Sequence, residues 1–133
     1  MAGLLVVDTD LVIDFLRGHG PGSSLVRRLI AERRFRITAI TAFELRVGAD
    51  FLTRRDDILR LGRSRTFPLD PAAALRAGEV AAALRTAGND IGMADCLQAG
   101  ICLKFDLPLA TRNRKHFERV AGLRLFDFGE PTS

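Results

Sequence analysis

The chain is 133 residues long, 47% hydrophobic, 27% charged and 7% aromatic, with neither Trp nor Tyr. Domains typically run about 100–200 residues, so one domain with one substantial core is expected, and so apolar a composition excludes a disordered chain. Basic residues outnumber acidic ones 20 to 16 and 18 of them are Arg, whose permanently charged planar fork suits phosphate; the excess fits either a polyanionic partner or solvated, Arg-rich faces.

No window supplies the ~18 consecutive apolar residues of a membrane span. The opening run Met-Ala-Gly-Leu-Leu-Val-Val has no basic residue before it and leads straight into acids, so it reads as a first strand rather than a signal peptide. A cytoplasmic protein without membrane contact is therefore expected. Residues 4–7 form a continuous apolar run ending at Asp8, as in a strand buried on both faces. Residues 11–17 carry helical spacing at Leu11, Val12, Phe15 and Leu16, and Gly18-His19-Gly20-Pro21-Gly22 stops them. A second helix, capped by Ser23 or Ser24, runs through Arg33 with Leu25, Leu29 and Ile30 inward. Residues 35–38 alternate like a short strand. Residues 40–52 read as one helix with Phe43, Val47 and Phe51 on one stripe, and 53–62 as a further helical stretch.

After a short strand at 65–69, Asp70-Pro71 is a strong helix start, with Asp as N-cap and Pro in the first turn, and Gly88 ends the Ala-rich helix that follows. Residues 91–104 form the next helix, 107–110 a strand, 113–119 a short helix and 123–126 a last strand. Strands alternating with helices predict an α/β fold: a single three-layer α/β/α domain over residues 1–133 around a mainly parallel sheet. Cys96 and Cys102 lie six apart on a helix, on different faces, and are expected to be small buried apolar residues rather than a disulfide or zinc pair.

In such sheets ligands bind beyond the carboxyl ends of the strands. Asp8 ends the first strand, Glu44 lies in Thr41-Ala42-Phe43-Glu44-Leu45, Asp95 opens the helix after Gly92, and Asn113 closes Leu109-Ala110-Thr111-Arg112-Asn113. These four should converge on one edge of the sheet. Crowded carboxylates repel one another unless a cation neutralises them, and hard ions such as Mg²⁺ or Mn²⁺ take oxygen ligands and keep several waters. Thr9 and Thr111 flank the pocket, as water-positioning groups or ordinary loop hydroxyls. Arg112, Arg114, Lys115 and Arg119 cluster beside Asn113. Further clusters stand at Arg27, Arg28, Arg33, Arg34 and Arg36, and at Arg54, Arg55, Arg60, Arg63 and Arg65. Beside an acidic pocket such clusters suit phosphate backbones; singly, each suits a solvated helix face. Asp10 is expected to cap the helix that follows it, Asp14 to be a solvated helix residue, Asp90 to shape its loop, and His19 and His116 to lack functional partners.

The stretches Val6-Val7-Asp8-Thr9-Asp10-Leu11-Val12-Ile13-Asp14, residues 41–45, Ile91-Gly92-Met93-Ala94-Asp95 and residues 109–120 together resemble PIN-domain proteins, and more closely the VapC toxins of type II toxin–antitoxin systems. That resemblance implies a Mg²⁺- or Mn²⁺-dependent endoribonuclease, a homodimer, inhibited by a cognate VapB-like antitoxin. It implies Asp8 and Asp95 as direct metal ligands, Glu44 binding metal through water or helping to activate the nucleophile, and Asn113 at a fourth position that is often Asp. An amide there can ligate or hold water but cannot act as a base. Two other readings stand beside it. Asp8-Thr9-Asp10 is similar to the nucleophile motif of haloacid-dehalogenase-like phosphatases, although the only lysines, Lys104 and Lys115, follow the late acidic motif in which that mechanism needs one earlier. A catalytically degenerate domain that only binds RNA or protein is the other.

Overall fold

The run Leu5-Val6-Val7 is wholly buried because the sheet it enters is covered on both faces. In a computed structural model that describes residues 3–129, it forms β1 (Leu5–Val7), followed by α1 (Thr9–Arg17), α2 (Pro21–Ala31), β2 (Phe35–Thr38), α3 (Ala39–Val47) and α4 (Phe51–Gly62). The chain continues through β3 (Thr66–Phe67), α5 (Pro71–Thr86), α6 (Met93–Lys104), β4 (Leu109–Ala110) and α7 (Arg114–Phe117).

The four strands pair in the order β3-β2-β1-β4, all parallel, with Leu5 opposite Phe35, Val7 opposite Ala110 and Ile37 opposite Thr66. Because strand side chains alternate, Leu5, Val7, Phe35 and Ile37 join a core with α1, α2 and α4, while Val6 and Leu109 join a second core with α5, α6 and Phe117. That is the three-layer sandwich expected. Chain order reverses at β1, which lies between β2 and β4, so the carboxyl ends of β1 and β4 define the crevice where ligands bind in open parallel sheets.

Several expectations hold in detail. Asp70 caps α5 by accepting from the Ala73 amide at 2.8 Å, Gly88 follows its end in a left-handed conformation, and both cysteines are free and buried. Others are corrected. Residues 40–52 are not one helix: α3 ends at Val47, Gly48 is extended, and Phe51 starts α4, so Phe51 is buried while Phe43 and Val47 are 59% and 69% exposed. Neither Ser23 nor Ser24 caps α2, which starts earlier, at Pro21 behind Gly20. Residues 123–126 contribute only an isolated bridge from Leu125 to Leu109.

Two glycines set helix spacing. A Cβ on Gly22 would lie 2.1 Å from the Leu11 carbonyl oxygen, and one on Gly100 would lie 2.5 Å from the Ala77 Cβ, so α1–α2 and α5–α6 meet backbone to backbone. Gly22→Ala should destabilise the fold by about 3 kcal/mol or more, since the contact is with main chain that cannot rotate aside. Urea unfolding checks this; an unchanged midpoint would mean that the two helices can part freely.

Candidate active site

Asp8 leaves the end of β1 and caps α1, its Oδ1 accepting from the Thr9 amide at 3.0 Å. Asp8, not Asp10, is therefore the cap, and Asp10 is an exposed residue of the first turn. Two further donors fix the same carboxylate. Thr111, just past β4, donates its hydroxyl to Oδ2 at 2.6 Å, and the Gln98 amide on α6 donates to Oδ1 at 3.3 Å. Burial raises the Asp8 carboxyl to about 6 against these hydrogen bonds, and the negative charges of Asp95 and Asp10 push the same way.

Behind Asp8 runs a buried line of hydroxyls. Thr38 caps α3, accepting from the Thr41 amide, and donates its hydroxyl to Gln98 Oε1. That bond fixes the Gln98 amide so that its nitrogen reaches both Asp8 and the Thr41 hydroxyl. Thr9 gives its single proton to Glu44 Oε1 at 2.6 Å, so across the 2.9 Å between the two hydroxyls it is Thr41 that donates to Thr9. Thr9 thus ties Glu44, half-buried on α3, to the residue that follows Asp8. Thr111 serves a second purpose: its oxygen accepts from the Asn113 amide at 2.9 Å, shaping the turn out of β4.

Asp95 stands in the first turn of α6, just after the loop that Asp90 shapes by accepting from the Gly92 amide. Its Oδ2 is met by Asn113 Nδ2 at 3.1 Å and by His116 Nδ1 at 2.9 Å. A proton on Nδ1 makes His116 the donor to Asp95. Oδ1 of Asp95 takes no hydrogen bond among the described residues. The four residues singled out, Asp8, Glu44, Asp95 and Asn113, therefore sit around one crevice, as expected.

The sequence reading missed Gln98, Thr38, Thr41 and His116. A polar Gln98 within an otherwise apolar helical face was the one available signal. Asp14, expected to be solvated, is buried: it accepts from the Gly22 amide at 3.0 Å and pairs with Arg112. Arg112 is thereby anchored at the crevice mouth, and Arg114 reaches toward Glu118 at 3.7 Å. Asp14→Ala should cost about 1–3 kcal/mol, the usual penalty for stranding a buried donor, measured by thermal unfolding; no loss would mean that Gly22 and Arg112 find other partners.

Among the described residues no three His, Cys, Asp or Glu side chains stand close enough to enclose an ion by themselves. The donor chemistry nonetheless fits a hard cation that keeps waters. The negative charge of Asp95 helps raise the Asp8 carboxyl, and the hydrogen bonds that Asp8 accepts among the described residues come from three neutral donors.

A parallel α/β domain with carboxylates beside its topological switch point is a class of protein that presents its acids where open sheets bind ligands. Residues 5–123 match the PIN domain, and the chain belongs to that family. It is 30% identical over 128 residues to a tRNA(fMet)-specific endonuclease VapC from Shigella flexneri, covering 92% of this chain and 96% of the relative. It is 31% identical over 121 residues to Ribonuclease VapC10 of Mycobacterium tuberculosis, covering 91% of each. The fold matches DNA-bound VapBC from Salmonella typhimurium with a TM-score of 0.80 at 24% identity, over 96% of this chain and 99% of that one. Family membership sets aside the phosphatase alternative, and Lys104 is engaged elsewhere, with Asp70 at 3.0 Å. No helix among the described residues is long and apolar enough to cross a membrane.

Proposed function

We propose that the protein is a divalent-metal-dependent endoribonuclease and the toxin member of a toxin–antitoxin pair. The observation that carries this reading is the hydrogen-bond network at the carboxyl edge of the sheet, which ties Asp8 to Glu44 through Thr9 and Asp8 to Asp95 through Thr111 and Asn113. Two carboxylates so placed would hold Mg²⁺ or Mn²⁺, which when bound supplies Lewis acidity to a phosphodiester and lowers the pKa of a water.

The chain's own residues do the positioning. Thr9 amide, Gln98 and Thr111 lock both oxygens of Asp8, so that carboxylate is oriented before anything binds. His116 and Asn113 hold one oxygen of Asp95 and leave the other open. Glu44, held by the Thr9 hydroxyl, is placed to accept a proton from water at the crevice or to reach the ion through one. Asn113 offers an amide where a carboxylate would add charge, so it orients without taking a proton. Arg112 and Arg114 at the mouth are suited to the flanking phosphates.

Two relatives carry names that specify a tRNA substrate, which makes tRNA the first RNA to try. A VapB-like antitoxin and a homodimer are part of the same reading. Phe43 and Val47 on α3, Leu75 on α5 and Met93 on α6 are all more than half exposed and supply apolar surface for a partner chain to cover. The test is cleavage of labelled tRNA and of an unrelated structured RNA with Mg²⁺, Mn²⁺ or EDTA. Discrete cuts that need metal and vanish in Asp95→Asn support the reading. No cuts in any folded sample would favour a binding-only domain.

A further inference from the structure

The carboxylates occupy the carboxyl edge of the sheet; a second charged feature lies at the opposite edge. Arg33 ends the turn into β2 and Ser64 the turn into β3, both with left-handed backbone (φ 59° and 61°). Because β2 and β3 run parallel, these two entry turns lie side by side. They bring Arg33 and Arg36 against Arg63 and Arg65, with Arg60 from α4, around one open hollow of about 410 Å³.

Among the described residues no Asp or Glu lines this hollow. Arg60 has one carboxylate within reach, Asp57 at 3.7 Å, and both side chains are well exposed. Arg36 and Arg65 donate to the backbone carbonyls of Phe35 and Leu61 and form no ion pair within 4 Å among the described residues. The side chains of Arg33 and Arg63 bond to nothing among the described residues. Arg33 and Arg36 of one cluster and Arg60, Arg63 and Arg65 of another, separate along the chain, thus share one basin. Five like charges around one hollow repel one another, and an anionic ligand relieves that cost.

The form of the basin identifies the ligand class. Guanidinium forks pair bidentately with phosphate oxygens; five, spread over two turns and a helix end, suit several phosphates in a row. Arg63 also lines the neighbouring hollow of about 800 Å³ between α3 and α4, together with Arg46 and Arg55. Basic side chains therefore continue from the basin toward α3, the helix that carries Glu44.

We propose that this basin is a second phosphate-binding site for RNA, gripping the backbone at the sheet edge remote from the carboxylates. The proposal rests on the ribonuclease reading. It makes the grip independent of sequence, since phosphate contacts position a nucleic acid without reading it.

The test compares Arg33→Gln/Arg60→Gln/Arg63→Gln with a control of equal charge loss elsewhere on the surface, Arg76→Gln/Arg85→Gln/Arg124→Gln. Binding of fluorescent tRNA is followed in EDTA, where nothing is cut, across about 50–300 mM salt. Each lost phosphate contact should lower the slope of log K against log salt by roughly 0.7–0.9. The basin triple should therefore lose about 2–3 from the slope and at least tenfold in affinity, and the control triple clearly less. Should the triple not fold, Arg33→Gln alone, at an exposed turn, should lower the slope by about 1. Equal losses in both triples, an unchanged slope in the basin triple, or a loss seen only with duplex DNA would overturn the proposal. Failure of the wild type to cut any RNA with metal would instead overturn the ribonuclease reading, and the slopes measured in EDTA would still judge the basin.

Discussion

Asp8→Asn should abolish RNA cleavage while making the metal-free protein more stable. The two effects have one origin. Asp8 is held ionised only at a cost, because burial raises its carboxyl from the usual 3.8 to about 6 despite three hydrogen bonds to it. A shift of about two pKa units corresponds to about 3 kcal/mol that the fold spends on keeping this charge. The Asn side chain has the same shape. Its oxygen still accepts from Thr9 and Gln98, and its amide can donate to the Thr111 oxygen. The gain should therefore be roughly 1–3 kcal/mol in EDTA near neutral pH, or several degrees in melting temperature. On the proposed metal-dependent reading activity should move the other way, by about three orders of magnitude, because the lost charge would anchor an ion supplying several kcal/mol of transition-state stabilisation. A variant that melts below the wild type in EDTA would show that the charge is not the cost. A variant that cleaves normally would place the reaction elsewhere.

The same geometry explains why so many uncharged groups surround the crevice. Thr9, Thr38, Thr41, Gln98 and Thr111 form one buried network whose donors converge on Asp8 and Glu44. None of them neutralises a carboxylate, so the negative field survives for a cation, yet each removes rotational freedom from the acids. An Arg or Lys in their place would orient the acids equally well and cancel the charge they present.

Much of this architecture is readable from the chain because it rests on local chemistry. The apolar run before Asp8, Asp70-Pro71 and the left-handed glycines at 88 and 92 each act within a turn of their own position. What escapes the sequence depends on partners far along the chain. The break between α3 and α4 interrupts a helical apolar spacing at Gly48, so Phe43 and Val47 seem to continue a stripe that in fact faces outward. Gln98 lies 90 residues from Asp8, Arg112 lies 98 from Asp14, and His116 meets Asp95 only because α7 follows β4 across the crevice. No periodicity encodes such pairings. A polar residue on a buried helical face is the one hint, and it carries no address.

The buried carboxylate also sets a pH dependence with a definite sign. An acid whose folded-state value lies above its unfolded value binds more protons when folded. Metal-free stability should therefore rise as pH falls from above 6 toward 4, and the contribution from Asp8 should be lost as pH climbs back through about 6. Asp50 and Asp70 work in the opposite sense: hydrogen bonds from Arg17 and from the Ala73 amide hold them below the usual range, and what they contribute fades only in more acidic solution. The window between about pH 4 and 6 is where the contribution of Asp8 changes. Melts of wild type and Asp8→Asn in EDTA should differ by about 3 kcal/mol at most at pH 7.5 and converge near pH 4. If Asp8 anchors the proposed ion, cleavage should follow the inverse course, because only the ionised carboxylate would hold it. At subsaturating metal the rate should fall by about tenfold for each pH unit below 6, and more metal should move that midpoint to lower pH, since ion and proton compete for the same oxygens. A midpoint that stays fixed as metal is raised would mean that the titrating group is not a ligand, and Asp8 would lose its place as the anchor of the site.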